Sequence, residues 1–427
     1  MKRTKILFLI VLYTPIFAGI FIAHNIKFTL LIYFTLVLLL FFIKLKPNRY
    51  FLREINPIVH FLIFFIILQT FQLFYKGGGL RELLRYSTVC FISITIILLL
   101  SSYKPEYTIK FLDKIFYFIG VIFIIQFVLS GYESINNIYL DKVHNWALPT
   151  DYASISNRWL LQVIGIEFDF LQYIIHPFSG LLGQHNHWGA QLPFYNLIFL
   201  IMYYKTKSKY FLFLLVLVFI AVLLNTTRAA IFTIMATDIF YIIIFAKKKT
   251  RLYHLTISAF IAILLFYIVD IIQNFSIYFS KSNTLEGRAS YYPIFIEYIF
   301  SNKFPIFWGH GLREMGTIGY KLQSLGGASG GSLESGFFPL VFFNGYIGLF
   351  LYLIFLVRIV IQGKKFSRIH RYFSFLIVMN IIGISLTIGG VLTNYAFQFV
   401  TLIYIYNVVS DRLYNVNQLN NLNNKKD

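Results

Sequence analysis

The feature that constrains this chain most is a series of long apolar runs. Backbone N–H and C=O groups in lipid must be hydrogen-bonded within their own segment, so runs of about 20 apolar residues predict membrane-spanning helices. We find about twelve of them, near residues 6–23, 28–43, 55–74, 86–100, 111–129, 188–204, 210–224, 229–245, 252–272, 336–357, 372–390 and 392–410. The sequence therefore predicts an all-α polytopic membrane protein that forms a single membrane domain over residues 1–427.

The composition excludes several other classes of protein. Apolar residues make up 58% of the chain and charged residues 13%, whereas a soluble domain carries about 25% charged residues. The single cysteine, Cys90, excludes an intrachain disulfide and any zinc site that needs several cysteines. A net charge of +20 would indicate nucleic acid as the partner of a soluble protein. In a membrane protein, basic cytoplasmic loops explain the charge, so we expect no nucleic-acid partner.

The placement of lysine and arginine predicts the orientation, because positive loops stay in the cytoplasm. With the N-terminus inside, seven segments fall on the cytoplasmic side and hold most of the 37 basic residues. These segments are Met1–Lys5, Lys44–Glu54, Ser101–Lys114, Lys205–Lys209, Lys247–Arg251, Arg358–Arg371 and the C-terminal tail. An even number of spans places both termini in the cytoplasm. The two long loops, 130–187 and 273–335, are then external, and we expect the chemistry there.

Two arginines are candidates for binding an anion at the outer surface. Arg228 opens the eighth span, and Arg288 follows Glu286 and Gly287 in the second long loop. A guanidinium suits phosphate because its N–H donors form a fork that matches two phosphate oxygens. The alternatives are structural: Arg228 would be a snorkelling residue that marks a helix end, and Arg288 would pair with Glu286 or Glu297.

The densest polar cluster next to a span runs from His176 to Gly189. His185 and His187 are two residues apart, but no third ligand of suitable spacing accompanies them, so we expect no metal. His176, His185, Asn186 and His187 are better suited to hydrogen bonding with a sugar or phosphate. Trp188 is predicted to be an interfacial anchor or a face on which a sugar stacks.

Several acidic residues have possible chemistry. Glu334 lies where the second long loop re-enters the membrane, and it is either a general base or the partner of an arginine. Glu167 and Asp169 form an acidic pair with the spacing that some glycosyltransferases use for a metal-bound sugar phosphate. Asp238 and Asp270 lie within predicted spans, where they pair with other helices or line a cavity. No nucleotide-binding motif is present, so the energy source is in the substrate or an ion gradient and we expect no cofactor.

Three segments carry a resemblance to a known family. Gly180, Asn186 and Gly189 match "G-x-x-x-x-x-N-x-x-G", and Thr226–Ala229 matches "S-S/T-R" at a helix start. The third begins at Gly287-Arg288, continues through Pro305 and Gly309-His310-Gly311, and ends with Glu334–Phe338 and Gly345–Gly348. This pattern resembles the bacterial O-antigen ligase and polymerase superfamily, whose members are membrane enzymes that assemble surface polysaccharides.

The resemblance implies a polymerase of O-antigen, capsule or exopolysaccharide in the bacterial plasma (inner) membrane. Its substrate would be an oligosaccharide linked by diphosphate to a polyprenol, and Arg228 and Arg288 would stabilise the departing diphosphate. Glu334 or a histidine such as His176 would orient or deprotonate the acceptor hydroxyl, and His310 would contribute to substrate binding.

Two other activities remain open. A ligase would transfer finished polysaccharide to an acceptor, although ligases of the superfamily have histidine where this chain has Glu334. A flippase would move the same lipid-linked sugars across the membrane. Besides membrane lipids, the expected partners of the polymerase are a chain-length regulator and a flippase.

Overall fold

The computed structural model describes residues 49–76, 90, 93–136, 185–225, 228–245, 293–301, 304–311, 337–387 and 396–423. Within these ranges every regular element is a helix. The labelled helices are, in chain order, α1 (Arg49–Glu54), α2 (Asn56–Lys76), α3 (Pro105–Asn136), α4 (His185–Thr206), α5 (Lys209–Asn225), α6 (Arg228–Phe245), α7 (Phe337–Gly363), α8 (Arg368–Thr387) and α9 (Phe397–Asn423). Residues 93–101 and 293–299 are helical as well. The all-α prediction is confirmed for this part of the chain.

Helices α2 to α9 coincide with eight of the predicted apolar runs. Two stretches, Pro105–Tyr132 and Leu340–Gly363, are long and apolar enough to cross a membrane. The predicted runs at 6–23, 28–43 and 252–272 lie outside the described residues, as does most of both long loops. The count of about twelve spans therefore stays a prediction.

Several helices are apolar on their outer as well as their inner face. On α5, one face is buried while the opposite face exposes apolar side chains at helical spacing. A helix on the surface of a soluble bundle normally carries polar residues there, and exposed apolar patches of this kind indicate contact with lipid or protein. Similar exposed stripes occur on α2 (Phe64, Ile67, Phe71, Phe74), α3 (Phe118, Val121, Ile125, Val128) and α7 (Phe350, Leu353, Val357, Ile361). These surfaces are consistent with membrane association.

Helices α2, α7 and α9 meet in an aromatic cluster. The Phe61 ring stacks on Phe355 with a centroid distance of 4.5 Å and lies 5.7 Å from Phe397. Aromatic contacts at these distances stabilise packing beyond the area they bury. The start of α2 lines a pocket together with the end of α7, which shows that these two helices are antiparallel.

The connection between α4 and α5 is short enough to make the two helices an antiparallel pair. Lys207 has a φ of 53°, which ends α4 in the left-handed region. The Ser208 hydroxyl then accepts a hydrogen bond from the backbone N–H of Tyr210 at 3.3 Å and caps the start of α5.

Candidate functional site

Helix α7 is broken at Gly345, and the segment 304–311 packs into the break. The Gly345 backbone (φ 61°, ψ −167°) lies in a region that glycine adopts without strain and other residues do not. Gly309, with a φ of 64°, faces it closely: a Cβ added to Gly309 would lie 2.5 Å from the Gly345 nitrogen. We call residues 304–311 and 342–347 together the glycine junction.

Backbone hydrogen bonds join the segment 304–311 to both sides of the break. A broken helix leaves carbonyl and N–H groups without their usual partners, and buried groups of this kind are costly unless they are paired. The bonds run from His310 N to Phe342 O (2.8 Å), from Gly311 N to Phe343 O (3.0 Å) and from Tyr346 N to Ile306 O (2.8 Å). The break in α7 is thus closed by a segment that lies far away in the sequence.

Two buried glutamines of α2 complete the glycine junction. The Gln72 amide donates to the carbonyls of Trp308 at 2.5 Å and Phe343 at 2.8 Å. Gln69 donates to the side-chain oxygen of Asn344 at 2.5 Å. None of these three polar side chains was predicted from the sequence. The available signal was the pair of glutamines three residues apart in an apolar run, because that spacing places both on one face of a helix.

His310 lies in the glycine junction among aromatic side chains. Its Nε2 is 2.6 Å from the hydroxyl of Tyr298, and its ring centroid is 4.6 Å from that of Phe342. The imidazole is half-buried. A neutral imidazole can both donate and accept hydrogen bonds, so its tautomer decides whether the Tyr298 hydroxyl donates or accepts here.

Arg228 is the first residue of α6, as the sequence predicted. Helix α5 ends three residues earlier at Asn225, which is buried. The positive end of the helix dipole disfavours a cation at this position, so helix stability does not explain the arginine. An anion bound there would interact favourably with the guanidinium and with the helix terminus.

Residues His185, Asn186 and His187 form the first turn of α4, and Trp188 follows them. Trp188 was predicted to be an interfacial anchor or a sugar-stacking face, but its side chain is fully buried. In this structure the indole therefore packs inside the helix bundle and has no exposed face.

The partner that holds Trp188 is Gln126 of α3. The side-chain oxygen of Gln126 accepts hydrogen bonds from the indole N–H at 3.2 Å and from the Tyr195 hydroxyl at 3.0 Å. The Phe123 ring lies 6.0 Å from the indole. Trp188 therefore fixes the start of α4 against α3, since a buried indole N–H normally requires an acceptor.

Asp238 of α6 is hydrogen-bonded to α4. The side-chain amide of Asn196 donates to its carboxylate at 2.7 Å. This hydrogen bond joins two helices and gives Asp238 a structural role, as expected for a polar group in an apolar bundle.

The remaining candidates lie outside the described residues: His176, Arg288, Glu334, Glu167, Asp169 and Asp270. The distance between Arg228 and Arg288 is therefore not tested. Among the described residues, no group of three His, Cys, Asp or Glu side chains could hold a metal ion.

Several contacts link segments that the charge pattern places on the same side of the membrane. The Lys205 ammonium pairs with Asp113 at 2.7 Å, and the Tyr406 hydroxyl donates to the same carboxylate at 3.0 Å. The Ser367 N–H donates to Asp411 at 2.7 Å. Lys205, Asp113, Ser367 and Asp411 all belong to segments or a tail that were predicted to be cytoplasmic.

Comparison with known proteins adds no family to this geometry. No protein-family model matches the chain, and no curated protein matches its sequence significantly. The resemblance to the O-antigen ligase and polymerase superfamily thus depends on the sequence motifs alone.

Proposed function

We propose that this protein is a polysaccharide polymerase of the bacterial plasma (inner) membrane. It joins polyprenyl-diphosphate-linked oligosaccharide repeat units into O-antigen or into a capsular or exopolysaccharide. The observation that carries the proposal is the glycine junction, in which the Pro305–Gly311 motif packs against the Gly345–Gly348 motif. Two elements of one family pattern, distant in sequence, form a single unit.

The proposed topology has about twelve spans, with both termini in the cytoplasm and loops 130–187 and 273–335 outside. It is supported by the antiparallel packing of α2 on α7. The glycine junction lies at the end of this helix pair that adjoins the second long loop, whereas Glu54 and Lys365 lie at the other end. The contacts Lys205–Asp113 and Ser367–Asp411 also join segments of one predicted side.

The proposed reaction transfers the growing chain from its lipid diphosphate to an incoming repeat unit. A hydroxyl of the incoming unit attacks the anomeric carbon of the growing chain, and the bond between that carbon and the diphosphate oxygen breaks. The bonding electrons leave with the diphosphate, whose charge Arg228 and Arg288 stabilise in a partly dry site. The hydroxyl proton passes to Glu334 or to a histidine such as His176.

The described part of the site contributes positioning. The hydrogen bonds of the glycine junction fix His310 and Tyr298 relative to α7, where they can contact sugar hydroxyls. Burial of Trp188 fixes the start of α4, which carries His185, Asn186 and His187. Groups on such supported elements are held closer to a productive geometry than groups on a free loop.

The test is to replace Arg228 and Arg288 individually by alanine in cells that make the polysaccharide. We expect long-chain polymer to collapse to single repeat units while the protein stays in the membrane at normal abundance. Lysine should rescue poorly, because an ammonium lacks the planar fork. The matched control is Arg368→Ala, which removes an exposed arginine at the start of α8, on the predicted cytoplasmic side.

If the polysaccharide kept its normal chain length in both alanine variants, Arg228 and Arg288 would have no role in the mechanism. Long polymer that accumulates while still linked to the polyprenol would favour the ligase over the polymerase. A flippase moves lipid-linked sugars across the membrane but does not lengthen them. If the purified protein lengthened lipid-linked units without an ion gradient, flippase activity alone would not explain its function.

A further inference from the structure

A pocket lies at the end of the α2–α7 pair opposite the glycine junction. Its volume is about 530 Å³, and it is lined by the end of α1, the start of α2 and the last turns of α7. We call it the basic pocket after its cations, Arg53, Arg358 and Lys365. The carboxylate of Glu54 and the amides of Asn56 and Gln362 also line it.

The cations of the basic pocket line one common space. Within the described ranges, none of Arg53, Arg358 and Lys365 forms an ion pair with a carboxylate. The Arg358 guanidinium donates to Nδ1 of His60 at 2.8 Å. Because arginine can only donate, that nitrogen must be the unprotonated acceptor, so this contact positions Arg358 without cancelling its charge.

Glu54 is the one acidic side chain that lines the basic pocket. Burial raises its pKa; the nearby Arg412 opposes this shift and Asp411 adds to it. Its Oε2 atom is buried and has no hydrogen-bond partner. The three cations outnumber this carboxylate, so the pocket carries a net positive charge and is suited to bind an anion.

An apolar surface leads away from the basic pocket along α7. Ile361 lines the pocket and is 52% exposed. Val357, Leu353 and Phe350 continue the exposed stripe at intervals of three or four residues, which places them on the same face of the helix. A ligand with an anionic head and an apolar tail matches both features, whereas free phosphate would leave the stripe uncovered.

We propose that the basic pocket binds the phosphodiester headgroup of an anionic phospholipid, with an acyl chain along the α7 stripe. The pocket lies on the side that the charge pattern assigns to the cytoplasm, where anionic lipids attract basic residues. Basic pockets between membrane helices on that side are suited to lipid headgroups. The inference requires membrane insertion but does not depend on the glycosyl transfer proposed above.

The experiment uses the purified full-length protein in detergent, supplied with equal amounts of phosphatidylglycerol and phosphatidylcholine of the same chain length. Native mass spectrometry measures how much of each lipid the protein retains. We expect preferential retention of phosphatidylglycerol, reduced about fivefold by either Arg358→Gln or Lys365→Gln. The matched control is Lys364→Gln, because this neighbouring lysine is exposed and does not line the pocket.

A gain-of-binding variant separates loss of the site from loss of folding. Glu54→Gln removes the carboxylate from the basic pocket, so retention of phosphatidylglycerol should rise. In the last part of the experiment, inorganic phosphate is added to the lipid-loaded protein, and it should displace the lipid only weakly. Equal retention of both lipids, indifference to the pocket variants, or displacement by millimolar phosphate would each overturn the lipid assignment. No glycan substrate is present, so failure here would leave the polymerase proposal intact.

Discussion

The two ends of the α2–α7 pair use opposite kinds of polar interaction. At the glycine junction, Gln69 and Gln72 bind buried amide and carbonyl groups, and no charged side chain takes part in these hydrogen bonds. At the basic pocket, Arg53, Arg358 and Lys365 surround an open cavity. One end is closed by specific hydrogen bonds, and the other leaves its charges available to a ligand.

This difference has an energetic consequence. A buried carbonyl that loses its donor costs about 1–3 kcal/mol, because no water replaces the hydrogen bond. An exposed ion pair contributes roughly 0–1 kcal/mol, since water and salt screen it. We therefore expect the fold to be far more sensitive to substitutions in the glycine junction than to loss of an exposed ion pair.

The largest effect is expected for Gly345→Ala. Alanine disfavours the positive φ of this position, and its Cβ would lie 2.6 Å from the Gly309 nitrogen, with Phe307 backbone atoms nearer still. We expect a loss of stability of about 3–5 kcal/mol, because only backbone movement relieves the contacts. The apparent melting temperature in detergent, followed by circular dichroism, measures the change.

The control on the same helix is Phe350→Ala. Phe350 is 64% exposed, so its truncation should change stability by no more than about 0.5 kcal/mol. If Gly345→Ala melted like the wild type while Phe350→Ala did not, the close packing of the segment 304–311 in the break would be wrong.

The positions of the helices could be predicted from hydropathy. The contacts between the helices could be predicted only in part. The predicted start of α6 at Arg228 and the runs at 188–204 and 210–224 agree with the structure, because long apolar runs have one way to satisfy their backbone in lipid. Trp188 lies where an interfacial residue is expected, but its side chain is buried and its indole N–H donates to Gln126.

The polar assemblies could not be predicted because their partners are created by tertiary structure. Gln72 binds carbonyls of Trp308 and Phe343, more than 230 residues away, that are accessible only where α7 is broken. Arg53 and Arg358 are likewise distant in sequence and meet only through antiparallel packing. Composition indicates that such groups need partners, but it does not say which.

An intermediate effect is expected for Gln72→Leu. Leucine fills similar space but leaves the carbonyls of Trp308 and Phe343 without the amide donor, which should cost about 1–3 kcal/mol. Hydrogen–deuterium exchange should also quicken at the Gly311 amide, whose bond to Phe343 closes the break. Unchanged exchange and stability would show that α2 does not support the glycine junction.

The matched charge deletion is Lys205→Gln, in an exposed ion pair between α3 and α4 on the predicted cytoplasmic side. The Lys205 side chain is 43% exposed in its pair with Asp113, so its loss should cost less than about 1 kcal/mol and less still at high salt. If Lys205→Gln destabilised the protein as much as Gln72→Leu, the contrast between buried hydrogen bonds and exposed charges would be wrong.

In the proposed topology, the glycine junction and the basic pocket face opposite sides of one membrane. The single cysteine makes a direct measurement possible: after Cys90→Ser, one new cysteine is introduced as Phe307→Cys or as Lys364→Cys, both at exposed positions. A membrane-impermeant maleimide is then applied to spheroplasts before and after permeabilisation. We expect Phe307→Cys to react from outside and Lys364→Cys to react only after permeabilisation. Labelling of both from the same side would contradict it.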